Sequence, residues 1–162
     1  MRAVLLFLQI AVTERQSCAF AGLDARATCT TISVPENRTQ PGRRQLSLSV
    51  VLVPATGDSD ARVPIVLLPG GPGGDIIAQH GGWTRLLANV RQEHPLLFVD
   101  PRGTGASGAL RCALAAEPRR AVSHVRDFLP LAQVRACRRE LARRADLTQY
   151  TTEAIAHDLE AI

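Results

Sequence analysis

Gly70-Gly71-Pro72-Gly73-Gly74 follows directly on a short apolar run, Val63 to Leu68. Glycines at such a place let backbone N–H groups approach a ligand with no Cβ atoms in the way. Two chemistries need this: cradling a phosphate, and holding the oxyanion formed when a carbonyl is attacked. A Walker loop requires Gly-Lys-Ser/Thr after the glycines, but Asp75-Ile76-Ile77 stands there. A dinucleotide fingerprint requires G-x-G-x-x-G running into a helix, and Pro72 disturbs that spacing. The oxyanion reading remains, with a plain glycine-rich turn as its alternative.

The second segment with chemical potential is Asp100-Pro101-Arg102-Gly103-Thr104-Gly105-Ala106-Ser107, after the apolar run Leu96 to Val99. An aspartate at a strand end followed by two glycines makes a tight loop at the carboxyl edge of a sheet, where open α/β sheets place their sites. Its structural alternative is a turn held by an ion pair of Arg102. Gly105-Ala106-Ser107-Gly108-Ala109 spells G-x-S-x-A. A nucleophile elbow needs its Ser on the sharp turn between strand and helix. Ser107 lies in a loop well past Asp100 and is not expected to react. His80, His94, His124 and His157 read as surface or packing residues. His157 and Glu160 share a helical turn but have no third ligand, so no metal site is expected.

The elements that must position these loops follow from hydrophobic period. Cys29 to Val34 is rich in β formers and ends at the turn Pro35-Glu36-Asn37-Arg38. Gln45 to Val53 alternates, with Leu46, Leu48, Val50 and Leu52 on one, well-buried face. The two runs predict an antiparallel pair. Val63–Leu68 and Leu96–Val99 predict strands covered on both faces, as in a parallel sheet. Between them, Trp83 to Glu93 predicts a helix with Trp83, Leu86, Leu87 and Val90 on its inner side. Strand, helix and strand make a βαβ unit. Leu131 to Ala145 predicts a helix with the stripe Leu131, Val134, Cys137 and Leu141. Thr152 to Ile162 predicts another, capped by Thr151 or Thr152, with Ile155, Leu159 and Ile162 inward.

The order and spacing of these motifs resemble the prolyl-aminopeptidase branch of the α/β-hydrolases. A Gly-Gly-Pro-Gly loop after one strand and Asp-x-Arg-Gly-x-Gly-x-Ser after the next carry the likeness. Cys29 through Val34-Pro35-Glu36-Asn37-Arg38 is similar to the start of the exported, cysteine-bearing tripeptidyl-aminopeptidase-like members. Leu110-Arg111-Cys112, Cys137 and Tyr150-Thr151-Thr152 leading to His157-Asp158-Leu159-Glu160 continue the pattern to Ile162. The resemblance implies an α/β fold with a mostly parallel sheet and antiparallel N-terminal strands, of which only the first half is expected here. It implies serine-dependent cleavage of peptide or ester bonds through an acyl-enzyme, without a cofactor. Gly71 would give its backbone N–H to the oxyanion hole. Gly70, Pro72, Gly73 and Gly74 would shape that loop, and Asp100, Arg102, Gly103 and Gly105 would support it. Pro69 stands where many relatives have His. The nucleophile, Asp and His would follow Ile162, so the chain alone is expected to be inactive. A hydrolase with an Asp nucleophile and a noncatalytic scaffold or binding domain are the alternatives.

Composition is consistent with one globular domain: 162 residues, 46% hydrophobic and 21% charged. The net charge is +4, and all 19 basic residues are Arg. Aromatics, at 4%, are too few for a base-stacking surface. Nucleic acid is therefore not an expected partner, and the cluster Arg135, Arg138, Arg139, Arg143, Arg144 reads as a solvated helix face. Residues 1–17 resemble a signal segment, with an apolar core from Ala3 to Val12 too short to span a bilayer. Residues 18–162 form the domain. Four cysteines allow three pairings. Cys18–Cys29 and Cys112–Cys137 close modest loops and are the expected bridges. They would place the protein outside the cell or in its envelope, with four free thiols in the cytoplasm as the alternative.

Overall fold

The computed structural model describes residues 15–20, 26–57, 63–71, 73–112 and 131–162. The apolar start of the chain, Pro72 and His124 lie outside these residues.

Five strands form one sheet: β1 (Gln16–Cys18), β2 (Ala27–Pro35), β3 (Gln45–Val53), β4 (Ile65–Leu67) and β5 (Leu96–Val99). Their order is β1-β2-β3-β5-β4. The long β2–β3 hairpin pairs Thr28 with Leu52 and continues to Pro35 opposite Gln45. β5 inserts between β3 and β4, antiparallel to the first and parallel to the second. The sheet is therefore mixed, with antiparallel N-terminal strands and β4–β5 as its one parallel pair among the described residues. Gln16 and Ser17, at the end of the signal-like segment, pair with Cys29 and Thr28.

Alternation along β3 and β5 fills two layers. Val51, Val53, Leu96 and Phe98 face one side with Ile76 and Leu67, against which Trp83 and Leu87 pack. Leu48, Val50 and Val99 face the other with Ile32 and Val34, against which Leu159 and Ala161 pack. β3 thus buries residues of both faces, whereas the sequence suggested one. The helices are α1 (His80–Leu86) and α2 (Ala88–Arg91), then α3 (Leu131–Leu141) and α4 (Thr152–Leu159). Side chains of α1 cover the first face of the sheet and those of α4 the second. The Thr151 side chain caps α4 by accepting from the Ala154 amide.

Three helical expectations are corrected. The first helix starts at His80 and breaks at Leu87, leaving Leu86 and Val90 exposed. The last ends at Leu159, and Ile162 lies outside it, exposed. α3 has no buried residue: on its stripe Leu131 and Val134 are 60% and 39% exposed, and Cys137 is tied to Cys112. A 3.6-residue period shows that a face could be buried, but not that anything covers it. The same holds for β4, expected to be covered on both faces. Among the described residues it is the sheet's last strand, and Ile65 and Val66 are 38% and 46% exposed.

Two disulfides join Cys18 to Cys29 and Cys112 to Cys137, with Cα separations of 5.9 and 5.6 Å. The first staples β1 to β2. The second is a covalent tie on α3. Both fit an oxidising compartment. Among the described residues, no helix is long and apolar enough to cross a membrane.

Candidate active site

β4 and β5 run parallel, so their carboxyl ends open on one edge of the sheet. The glycine loop leaves β4 there, and the Asp100–Ser107 loop leaves β5. Gly71 and Gly73 adopt φ of 117° and 88°, in the left-handed region that favours glycine. Gly74 turns back onto the start of the loop, where an added Cβ would stand 2.8 Å from the Gly70 carbonyl oxygen. Gly70, Gly71 and Gly73 are exposed. No acceptor among the described residues takes the Gly71 amide hydrogen.

Asp100 connects the two loops. Its side chain is buried, and Oδ1 accepts from the Ile76 and Ile77 amides at 2.9 and 3.1 Å. Oδ2 accepts from the Ala106 amide at 2.9 Å. Three backbone donors on one carboxylate are charge-assisted and hold the limb after the glycines against the second loop. Gly105 has to be glycine here: its φ is 41°, and a Cβ would meet Asp100 Oδ2 at 2.1 Å. Gly103, at φ 75°, leaves room for the Tyr150 ring.

Ser107 is buried and fully engaged. Its Oγ donates to the Asp100 carbonyl at 2.6 Å and accepts from the Ser49 amide at 2.8 Å. That hydroxyl stitches the loop to β3 and is not presented to a substrate. A cavity of about 510 Å³ opens beside the loops, with Asp75, Ile77, His80, Asp100, Ala106 and Arg111 among its lining residues. His80 Nδ1 contacts the Ile77 carbonyl at 2.9 Å, so this nitrogen carries the hydrogen. Among the described residues, no group of His, Cys, Asp and Glu could hold a metal ion. His157 and Glu160 form an exposed pair at 3.0 Å.

Arg102 points away from the glycine loop. Its side chain is 1% exposed and grips Asp158 through Nε at 2.7 Å and Nη2 at 2.6 Å. Nη1 donates to the carbonyls of Glu36 and Gln149 at 2.9 and 3.0 Å. Arg38 adds a bond to Asp158 at 2.8 Å. Glu36 is the neighbouring hub: Oε1 accepts from the Asp146 amide at 3.1 Å and the Tyr150 hydroxyl at 3.0 Å. Burial first, then the Glu36 carboxylate, push the Tyr150 hydroxyl up to about 12. The hydrogen bonds from Thr148 lower the Asp146 carboxyl below its ordinary value.

The sequence pointed to Arg102 but not to its partners. A signal for Asp158 was available: it lies on the stripe of Ile155, Leu159 and Ile162, and a carboxylate on an apolar stripe is buried only when paired.

No family model matches the chain. It is similar to carboxylesterase B of Mycobacterium tuberculosis, strains CDC 1551 and H37Rv, at 38% identity over 94 residues. A protein of Mycobacterium bovis, described as a candidate hydrolase, matches equally well. The match covers 56% of this chain but only 18% of each relative's length. These similarities support a relationship to hydrolases.

Proposed function

We propose that these residues form the oxyanion-hole side of a serine hydrolase of the α/β-hydrolase fold, acting on ester or peptide bonds through an acyl-enzyme. The observation that carries this reading is the Asp100 carboxylate. It fixes the limb after an exposed, left-handed glycine turn at the carboxyl edge of two parallel strands. Attack on a carbonyl carbon turns the C=O oxygen into an alkoxide. The Gly71 N–H would donate to that oxygen more strongly as its charge grows, and a donor of this kind contributes about 3–4 kcal/mol to lowering the barrier. A main-chain donor needs no side chain before it, so Pro69 in place of His is compatible with the role.

The nucleophile would come from outside residues 1–162, since Ser107 is committed to Asp100 and Ser49. The shared intermediate serves esters and peptides alike. The names of the similar proteins favour a carboxylic ester, while the motif order favours an aminopeptidase. Turnover of p-nitrophenyl acetate against aminoacyl p-nitroanilides by the full-length gene product separates the two. The 162-residue chain alone is expected to turn over neither. Turnover by this chain that disappears in Ser107→Ala would overturn the assignment. A noncatalytic scaffold is the second reading, favoured by the structural use of Ser107. It predicts no turnover by the full-length product either.

A further inference from the structure

The positive charge of the chain is concentrated in one place. Residues 131–144 hold five Arg and one acid, Glu140; elsewhere the remaining Arg and acids balance, so this segment accounts for the whole net charge of +4. The segment is not adrift. Arg44 donates to the Arg144 carbonyl, and Arg144 Nη2 donates to the Arg111 carbonyl at 2.8 Å. The first bond seats the chain just past α3 against the β2–β3 turn, and the second ties it to the segment beside Cys112.

Between turn and helix lies a groove of about 560 Å³, with Arg43, Arg44 and Arg138 in its wall. Two carboxylates also line it. Glu36 is buried and occupied by Tyr150, the Asp146 amide and Arg44, and Asp146 by Thr148. Arg43 and Arg138 are exposed and have no carboxylate partner among the described residues. β3 runs on from Val50, opposite Val99, to Gln45 at the turn. The groove therefore lies off the same end of β5 as the glycine-loop edge.

We propose that this groove binds a phosphate monoester or diphosphate group through Arg43 and Arg138, with Arg44 closing its inner side. Guanidinium forks suit phosphate oxygens bidentately, and the groove has room for more than one phosphoryl group. This site is independent of the hydrolase reading. Calorimetric titration of the 162-residue chain with pyrophosphate, at ionic strength matched with sodium chloride, tests it. Flotation with phosphatidic acid or phosphatidylcholine vesicles tells a lipid phosphate monoester from a free phosphate.

Arg43→Gln with Arg138→Gln should weaken binding about tenfold or more. The charge-matched control, Arg26→Gln with Arg85→Gln, should change it less than about twofold. Circular dichroism checks that each variant is folded. Pyrophosphate binding lost only in the groove variant supports the site for a free phosphate group. Binding only to phosphatidic acid vesicles, lost in the same variant, supports it with a headgroup as the source. Equal loss in both variants would mean diffuse charge attraction and would overturn the site, as would no binding to either probe.

Discussion

Arg102→Met tests the buried pair that ties α4 to the second loop. Both oxygens of Asp158 accept from Arg102, and the two side chains are 1% and 4% exposed. Removing the guanidinium leaves a buried carboxylate with Arg38 alone and takes the Nη1 donor from the Glu36 and Gln149 carbonyls. Breaking a buried pair from one side costs about 3–5 kcal/mol. At roughly 2–4 °C per kcal/mol for a domain of this size, Tm should fall by about 6–20 °C. Arg38 binds the same carboxylate but is 31% exposed, and Arg38→Met should cost only about 0.2–1 kcal/mol. Arg102→Met combined with Asp158→Leu should recover part of the loss, because an apolar pair of similar volume strands no charge. Urea unfolding followed by far-ultraviolet circular dichroism and by the fluorescence of the single Trp83 gives the three costs relative to wild type, and thermal unfolding gives the Tm. An Arg102→Met cost below about 1 kcal/mol, or one equal to that of Arg38→Met, would refute the claim that burial decides the strength of this pair.

Tyr150 is the only tyrosine, so its absorbance near 295 nm reports one group. Its folded pKa of about 12 lies above the ordinary 10, so its contribution to stability is complete below pH 10 and is lost as pH rises toward 12. Spectrophotometric titration should show no phenolate at pH 10.5 in the folded protein, and half-ionisation there would contradict the burial and Glu36 contact. The apolar edge at β4 should make the 162-residue chain self-associate as concentration rises, and Val66→Lys should reduce this in sedimentation velocity. A wild-type chain that sediments as a monomer at high concentration would contradict that expectation.

Much of the sheet was legible because its signals are local. The period of two along Gln45–Val53 and the continuous run Leu96–Val99 match β3 and β5 residue for residue. The glycine loops were legible because left-handed backbone calls for particular residues. Burial was less so, since it depends on what stands opposite. Val66 and Leu131 belong to apolar runs, yet among the described residues β4 is the last strand of the sheet and α3 buries no side chain. Gly81-Gly82 obscured the start of α1, because two glycines argue against a helix that packing nevertheless extends. Arg102 and Asp158 are 56 positions apart, and no local pattern reports a pair at that separation.

The most direct test of the hydrolase reading is the steady-state kinetics, on a p-nitrophenyl ester, of the full-length gene product and of a variant in which glycolate replaces Gly71. The resulting ester linkage removes the one N–H assigned to the oxyanion and still permits the φ of 117° that proline would forbid, so kcat should fall by about 10²–10³ while KM changes little. A glycolate-substituted enzyme that keeps its kcat would contradict the account.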